Sequence, residues 1–325
     1  MIDELSRRDV LIMLAAVPVA GAAPAARPAQ AAAPSAGTRA PLAVGIVSRH
    51  LQFAPMEDAI AIAKEAEFDA IEWNVRDGGH VPPDRVERDL PRCIELTRQA
   101  GLAATMITTD ATDADYPHLE AILATASGLG VTHYRTEEPR YDYSKDLEAE
   151  LEALKPRLAA VNALNEKYGI AVAYHTHSGS GSIGGAIWDM WSVMREFDPT
   201  YLGMNFDVGH ATRRLGLGMT DGLRIAHRYI QAVAVKDFAY QVDPQTGRVE
   251  TEWTPIGEGQ VNLRAAFEVL AALGWRGPIN LHFEHHGLLG RAVGEYELPI
   301  PLSEFKRFIT NERNHVRQTL QAVGF

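Results

Sequence analysis

The stretch His282-Phe283-Glu284-His285-His286 places three imidazoles and a carboxylate within five residues. Those groups together suit two kinds of chemistry: coordination of a divalent cation, and proton transfer near neutral pH. The same residue types recur at the ends of other apolar runs. They appear in Glu72-Trp73-Asn74-Val75-Arg76, followed by Gly78-Gly79-His80, and in Arg135-Thr136-Glu137-Glu138. They appear again in His175-Thr176-His177, in Asn205-Phe206-Asp207-Val208-Gly209-His210, and in Lys236-Asp237. Of the 12 histidines, His80, His175, His177, His210, His282, His285 and His286 fall at these ends or just beyond. A scatter by chance does not do this. The pattern points to a site for a polar small molecule, with a metal.

A regular fold must bring these positions together. From Leu42 onward short apolar runs alternate with longer helical patterns. The runs LAVGIVS (42–48), AIEWNV (70–75), AATMITT (103–109), THYRTE (132–137), IAVAYHTH (170–177), YLGMNFDVG (201–209), IQAVAVKDF (230–238) and PINLHFEH (278–285) read as strands. Each is short and apolar, and most are bounded by glycine, proline or charge. Between them, MEDAIAIAKEAEF, LEAILATASGLG, DLEAELEALKPRLAAVNALNEKYG and LRAAFEVLAALGW repeat apolar residues at helical spacing. Four helix-to-strand joints share one form: AGL, LGV, YGI and LGW. Glycine there fits a helix C-terminus.

Eight such units of roughly 30 residues predict a single (β/α)8 barrel with a C-terminal helix. An open doubly wound sheet calls for a glycine-rich phosphate loop after the first strand, and GIVSRHLQFAP contains none. The connection Asp237–Asn262 is long and reads as an inserted hairpin turning at Asp243-Pro244-Gln245-Thr246-Gly247. A loop of that length is expected over the active-site mouth. In such a barrel the chemistry lies at the C-terminal strand ends.

Residues i and i+2 on a strand share a face. The mouth is therefore expected to hold His175, His177, Asp207, Lys236, His282 and Glu284. Two carboxylates and several imidazoles suit Mn²⁺, Co²⁺, Zn²⁺ or Mg²⁺, and a carboxylate or lysine beside the ion could remove a proton α to a carbonyl. A lone charge within an apolar strand is costly unless paired or used, which singles out Lys236, Asp207 and Glu284. Bland readings stand beside these. His285 and His286 read as loop residues, and Trp188 and Trp191 as packing. Asp237 reads as an orienting or capping group, and Glu72 as solvated or supporting. Of Glu137 and Glu138, only one is expected to face the site.

Bulk composition narrows the partners. The chain has 325 residues, 46% hydrophobic, and a net charge of −11 from 31 basic and 42 acidic residues. No basic cluster suits a phosphate backbone, which argues against nucleic acid. The single cysteine, Cys93, excludes an intramolecular disulfide and reads as a packed small hydrophobe. Residues 1–41 read as a twin-arginine signal with an Ala/Pro-rich linker: Arg7-Arg8, an apolar run from Leu11 to Ala23, and a cleavage-type Ala29-Gln30-Ala31. The run is short for a membrane span of about 20 residues. The expectation is a periplasmic or exported protein whose barrel occupies 42–325, with no membrane span after cleavage.

Several motifs together resemble the sugar phosphate isomerase/epimerase superfamily, the xylose isomerase-like TIM barrels. They are Tyr174-His175-Thr176-His177, Phe206-Asp207-Val208-Gly209-His210-Ala211, Val235-Lys236-Asp237, Ile256-Gly257-Glu258-Gly259 and His282-Phe283-Glu284. Gly78-Gly79-His80-Val81-Pro82-Pro83 and Ala186-Ile187-Trp188-Asp189 resemble an exported branch of it. In tagatose- and psicose-epimerase-like members, Glu, Asp, His and Glu on strands five to eight hold the metal. Carried over, Asp207 and Glu284 match. His175 stands in place of the first glutamate, and Ala234 in place of the histidine. His282 is the substitute ligand the resemblance suggests, and otherwise Lys236 fills the emptied space as an electrophile or base.

The resemblance implies an exported isomerase or epimerase acting on a carbohydrate or keto-sugar through an enediolate. Asp207, Glu284, His175 and His282 are its expected metal ligands. Glu284, Lys236 and His177 are the expected catalytic groups, and Arg76, His80, Arg135 and His210 the substrate contacts. A β-eliminating lyase on 3-keto-glycosides and a non-catalytic periplasmic sugar binder are the alternatives.

Overall fold

A computed structural model of the chain describes residues 41–285 and 297–325. The strands are β1 (Val44–Val47), β2 (Ala70–Asn74), β3 (Met106–Thr108), β4 (His133–Thr136), β5 (Ala171–His175), β6 (Leu202–Asp207), β7 (Ile230–Val235), β8 (Asp237–Val242), β9 (Val249–Thr254) and β10 (Ile279–Leu281). All but β8 and β9 pair in parallel and close a barrel in the order β1-β10-β7-β6-β5-β4-β3-β2. The helices are α1 (Met56–Glu65), α2 (Val86–Gln99), α3 (Leu119–Gly128), α4 (Leu147–Tyr168), α5 (Trp188–Met194), α6 (Val208–Leu215), α7 (Met219–Ala226), α8 (Leu263–Ala272) and α9 (Leu302–Ala322). The expected (β/α)8 barrel with its C-terminal helix is the fold. No helix among the described residues is long and apolar enough to cross a membrane.

Local chemistry explains the repeat. Helix α4 starts where Asp146 accepts from the Ala149 N–H at 2.8 Å and stops at Gly169, whose φ of +65° favours a residue without a Cβ. Gly101, Gly130 and Gly274, in the other three matching joints, also have positive φ. Alternate strand residues then divide the barrel. Ile71, Trp73, Ile107, Tyr134, Val172, Phe206, Val233 and Leu281 point outward and are buried under the helices. Cys93 is buried on α2, and burial pushes its thiol up.

The inward face is partly polar. Met106, Ala173 and Ala232 form its small apolar part. Beside them Glu72 is fully buried, accepting from Asn280 Nδ2 at 2.6 Å and from the Thr108 hydroxyl. Burial raises the Glu72 carboxyl. Glu72 is thus neither solvated nor at the mouth: it braces β2 to β3 and β10 beneath it.

The insertion is a two-stranded hairpin, β8 paired with β9, turning where Gly247 N–H donates to Asp243 O at 2.8 Å. Asp237 fixes both ends of the insertion. Its carboxylate accepts from the backbone N–H groups of Phe238 (2.8 Å), Gly257 (3.1 Å), Gly259 (3.0 Å) and Val261 (2.9 Å). That places Asp237 as a backbone cap, not as a partner of Lys236. His285 lies in the loop after β10, as expected, but it is not solvated there. It is buried, with Nε2 2.7 Å from Glu312 Oε1 of α9, and Glu312 Oε2 accepts from Ile256 N–H at 2.8 Å. His286 lies outside the described residues. Trp191 packs against the core, whereas Trp188 at the start of α5 is 48% exposed and does not.

Asp237→Ala strands buried N–H donors at about 1–3 kcal/mol each. We expect a loss of several kcal/mol in urea denaturation, while Asp237→Asn, which keeps acceptor oxygen, loses less.

Candidate active site at the barrel mouth

Lys236 follows the end of β7, two residues beyond Ala234, and its side chain is buried. A buried ammonium needs partners. Nζ lies 2.7 Å from Glu284 Oε1 and 3.2 Å from Asp207 Oδ2, and 4.5 Å above the ring centre of Trp253. The stem passes over Gly209. A Cβ there would fall 2.7 Å from Lys236 Cγ and 2.8 Å from its carbonyl oxygen. The glycine of the FDVGH motif is therefore space left for the lysine.

Asp207 ends β6 and caps α6. Its Oδ1 accepts from His210 N–H at 2.8 Å. Its Oδ2 pairs with the Lys236 charge at 3.2 Å and accepts from His175, whose Nε2 lies 3.0 Å away. The His175 tautomer follows from its other side. Arg135 Nε, always protonated, donates to His175 Nδ1 at 2.7 Å, so Nε2 must carry the hydrogen. Burial would raise the Asp207 carboxyl, but the Lys236 charge, His210 and the backbone N–H outweigh it and hold the group below its ordinary value.

His282 stands beside this group. Its ring centre is 5.2 Å from that of His175, its Nδ1 is 4.0 Å from Glu284 Oε1, and its buried Nε2 has no partner among the described residues. Asn205, one inward step below Asp207, also has both amide atoms unpartnered. The β10 ladder stops at Leu281, so His282, Phe283 and Glu284 extend past it, tied by His282 N–H to Val235 O at 2.9 Å.

A charged rim flanks the pair. Arg76 Nη2 lies 2.7 Å from Glu137 Oε1, Arg76 Nε 3.0 Å from Asp110 Oδ1, and Arg135 Nη2 3.3 Å from Glu137 Oε1. Burial opposes ionisation of Glu137, yet Arg135, Arg76 and His177 together hold it down to about 2. His177 Nδ1 is 3.7 Å from Glu137 and hydrogen-bonds Glu138, which also accepts from Ser182 at 2.6 Å. Both glutamates thus meet at His177. His210 Nδ1 lies 2.9 Å from the Ser178 hydroxyl, its ring 4.8 Å from that of His177 and 5.1 Å from that of Trp253.

Nine of the ten expected residues therefore converge: Arg76, Arg135, His175, His177, Asp207, His210, Lys236, His282 and Glu284. His80 does not join them. It packs edge-on against outward-facing Trp73 at 5.1 Å, with Nε2 3.1 Å from Ala54 O. Sequence reading missed Trp253 and Ser178. Trp253 pairs with Phe238 in the hairpin, and the signal was there as an aromatic in an insertion expected over the mouth.

A divalent cation needs several lone pairs aimed at one point. The ligand atoms of His175, Asp207 and His282 lie within 4.8 Å of one another, as do those of Glu137, Glu138 and His177. In the first group the spacing suits a metal but the lone pairs do not. His175 presents a hydrogen, Asp207 Oδ2 is engaged by that hydrogen and by the Lys236 charge, Lys236 holds Glu284, and Ala234 offers nothing. In the second group, arginine and Ser182 engage the glutamates. The residues present do not fit the four-ligand cage that the resemblance implies.

Residues 60–300 match the family model described as a xylose isomerase-like TIM barrel, and the chain belongs to that family. Solved structures share the fold. A D-tagatose 3-epimerase-like protein is 16% identical, with a TM-score of 0.65 over 87% of this chain and 98% of its own. A 3-keto-D-glucoside 4-epimerase from E. coli is 12% identical, at 0.62 over 84% and 99%. The IOLI protein, solved with a zinc atom, is 13% identical, at 0.67 over 86% and 99%. No curated protein is significantly similar in sequence.

Burial holds His50, His175, His210 and His282 well below the ordinary histidine range. In the unfolded chain each takes a proton near pH 6.5, while the folded chain keeps them neutral. Their contribution is complete above that pH and is lost as pH falls below it. Between pH 7.5 and 5.5 we expect stability to fall by about 1 kcal/mol for each, read by urea denaturation. An acid limb that begins only near pH 4 would contradict this.

Proposed function

We propose that the chain is an exported enzyme that isomerises or epimerises a carbohydrate or keto-sugar by moving a proton beside a carbonyl. The observation that carries the reading is the Lys236–Glu284 pair, at the C-terminal ends of the barrel strands and ringed by imidazoles. Glu284 is the more open of the two carboxylates, its side chain 22% exposed against 0% for Asp207. It is placed to take the proton. The Lys236 ammonium, 2.7 Å away, orients it through an ion pair and lies beside the oxygen on which negative charge develops. His177, its side chain 24% exposed, serves a substrate hydroxyl, with His282 buried beside Glu284. Arg135 acts through His175, fixing the ring that holds Asp207. Trp253 provides an apolar face over the pair, suited to the C–H face of a sugar.

Family membership supports a sugar-modifying barrel enzyme, and the epimerase neighbours give the reaction class its precedent. The expected metal would supply charge to the same oxygen, but the residues present do not fit it, and no step here is routed through one. A lyase on 3-keto-glycosides uses the same first proton removal, and release of an aglycone separates it. Sugar binding by the wild type without any turnover, unchanged in Lys236→Ala and Glu284→Ala, would point to the non-catalytic binder.

Incubation with ketohexoses and 3-keto-glycosides in D₂O should place deuterium at the carbon beside the carbonyl, seen by NMR. Glu284→Gln should slow that exchange on the order of 10²- to 10⁴-fold. Exchange at the wild-type rate in Glu284→Gln would remove Glu284 as the base. Export rests on Arg7-Arg8 and the apolar run after them. Replacing both arginines with lysine should leave the unprocessed chain in the cytoplasm, read by cell fractionation.

A further inference from the structure

We propose that the Lys236 ammonium takes the place of a divalent cation in this barrel, so that the mouth works without a metal. The inference relies on the reading above only for what the charge acts on, not for where the charge sits.

Four observations carry it. The ammonium lies within 3.2 Å of one oxygen from each of Asp207 and Glu284, the two carboxylates that match the family's ligands. Both Asp207 oxygens are engaged, Oδ1 by His210 N–H and Oδ2 by His175 Nε2 and the Lys236 charge, and the Arg135 bond fixes the His175 proton toward Asp207. Ala234 pairs with Asp207 on one side and Asn280 on the other, so it faces the interior at the vacated ligand position with only a methyl group. Gly209 leaves the space through which the lysine stem reaches the carboxylates, and Trp253 covers its head. The lysine is built in on every side.

A cation entering between Asp207 and Glu284 would meet an ammonium paired with both, 3.2 and 2.7 Å away, and like charges that close repel strongly where water is excluded. The lysine performs the electrostatic part of a metal's work. It places a full positive charge and N–H donors beside a forming oxyanion, with no ligand exchange and no dependence on metal supply. It does not supply a second open coordination position. Ordering of the substrate oxygens therefore falls to neutral groups around it rather than to a shared ion.

The test reads metal binding directly and needs no substrate. Wild type, Lys236→Arg and Lys236→Met are stripped with EDTA, then titrated with Mn²⁺ or Zn²⁺ alone by calorimetry and thermal melting, with elemental analysis of each. We expect substoichiometric metal and an unmoved melting temperature for wild type and Lys236→Arg. Lys236→Met should bind about tenfold more tightly or better, with its melting temperature raised, because the carboxylates are released. Adding Ala234→His to Lys236→Met should tighten binding further. In the titrations, which need no substrate, two results overturn the inference: one equivalent of metal in wild type that Glu284→Ala loses, or a Lys236→Met protein that binds no better than wild type. Deuterium exchange that survives EDTA supports it, and exchange abolished by EDTA and restored by Mn²⁺ overturns it. If the titrations come out as expected while no sugar is exchanged, the lysine assignment stands and the enzymatic reading falls.

Discussion

The barrel mouth is organised by one buried ammonium between two carboxylates. Removing a charge from water is tolerable only with close, oppositely charged partners, and Lys236 finds them on both neighbouring strands. From that contact the other placements follow. Asp207 must sit at the last residue of β6, Glu284 must run past the β10 ladder, and position 209 must lack a side chain. His175 must hold one tautomer, which requires Arg135 on its far side, and Arg135 is in turn balanced by Glu137.

Much of this was legible in the sequence for a simple reason. A parallel barrel repeats one unit, so hydrophobic runs, helical spacing and glycine-closed joints recur often enough to fix the architecture. Polar residues at the C-terminal ends of such runs then have one place to go. Alternation correctly put His175, Asp207, Lys236, His282 and Glu284 on one side. It was silent on what the side chains bind once there, because a lysine stem reaches over several residues' worth of space. That is why the expected ligands and the observed ion pair use the same residues differently.

The misreadings share a cause. Alternation holds within a strand and fails past its end. His80 follows β2 but folds back onto Trp73, outside the barrel. Glu137 and Glu138 are adjacent, yet both turn to His177 because the chain bends after β4. His285 turns away from the mouth toward α9 and finds a buried acid there, a partner 27 positions later that no local pattern announces. Asp237 likewise bonds groups up to 24 residues ahead.

Asp237 has a broader effect on how the surface over the site can change. It fastens the first residue of the insertion and the backbone where the insertion returns, so the chain between them forms a loop already closed at its neck. Lengthening or shortening such a loop beyond the neck alters closure entropy only with the logarithm of its length. The mostly exposed stretch from Tyr240 to Glu250, between buried Phe238 and Ile256, is consequently an exchangeable cover. Its sequence and reach are free to drift under selection for a different ligand while the strand order, the joints and the charged centre below stay as they are.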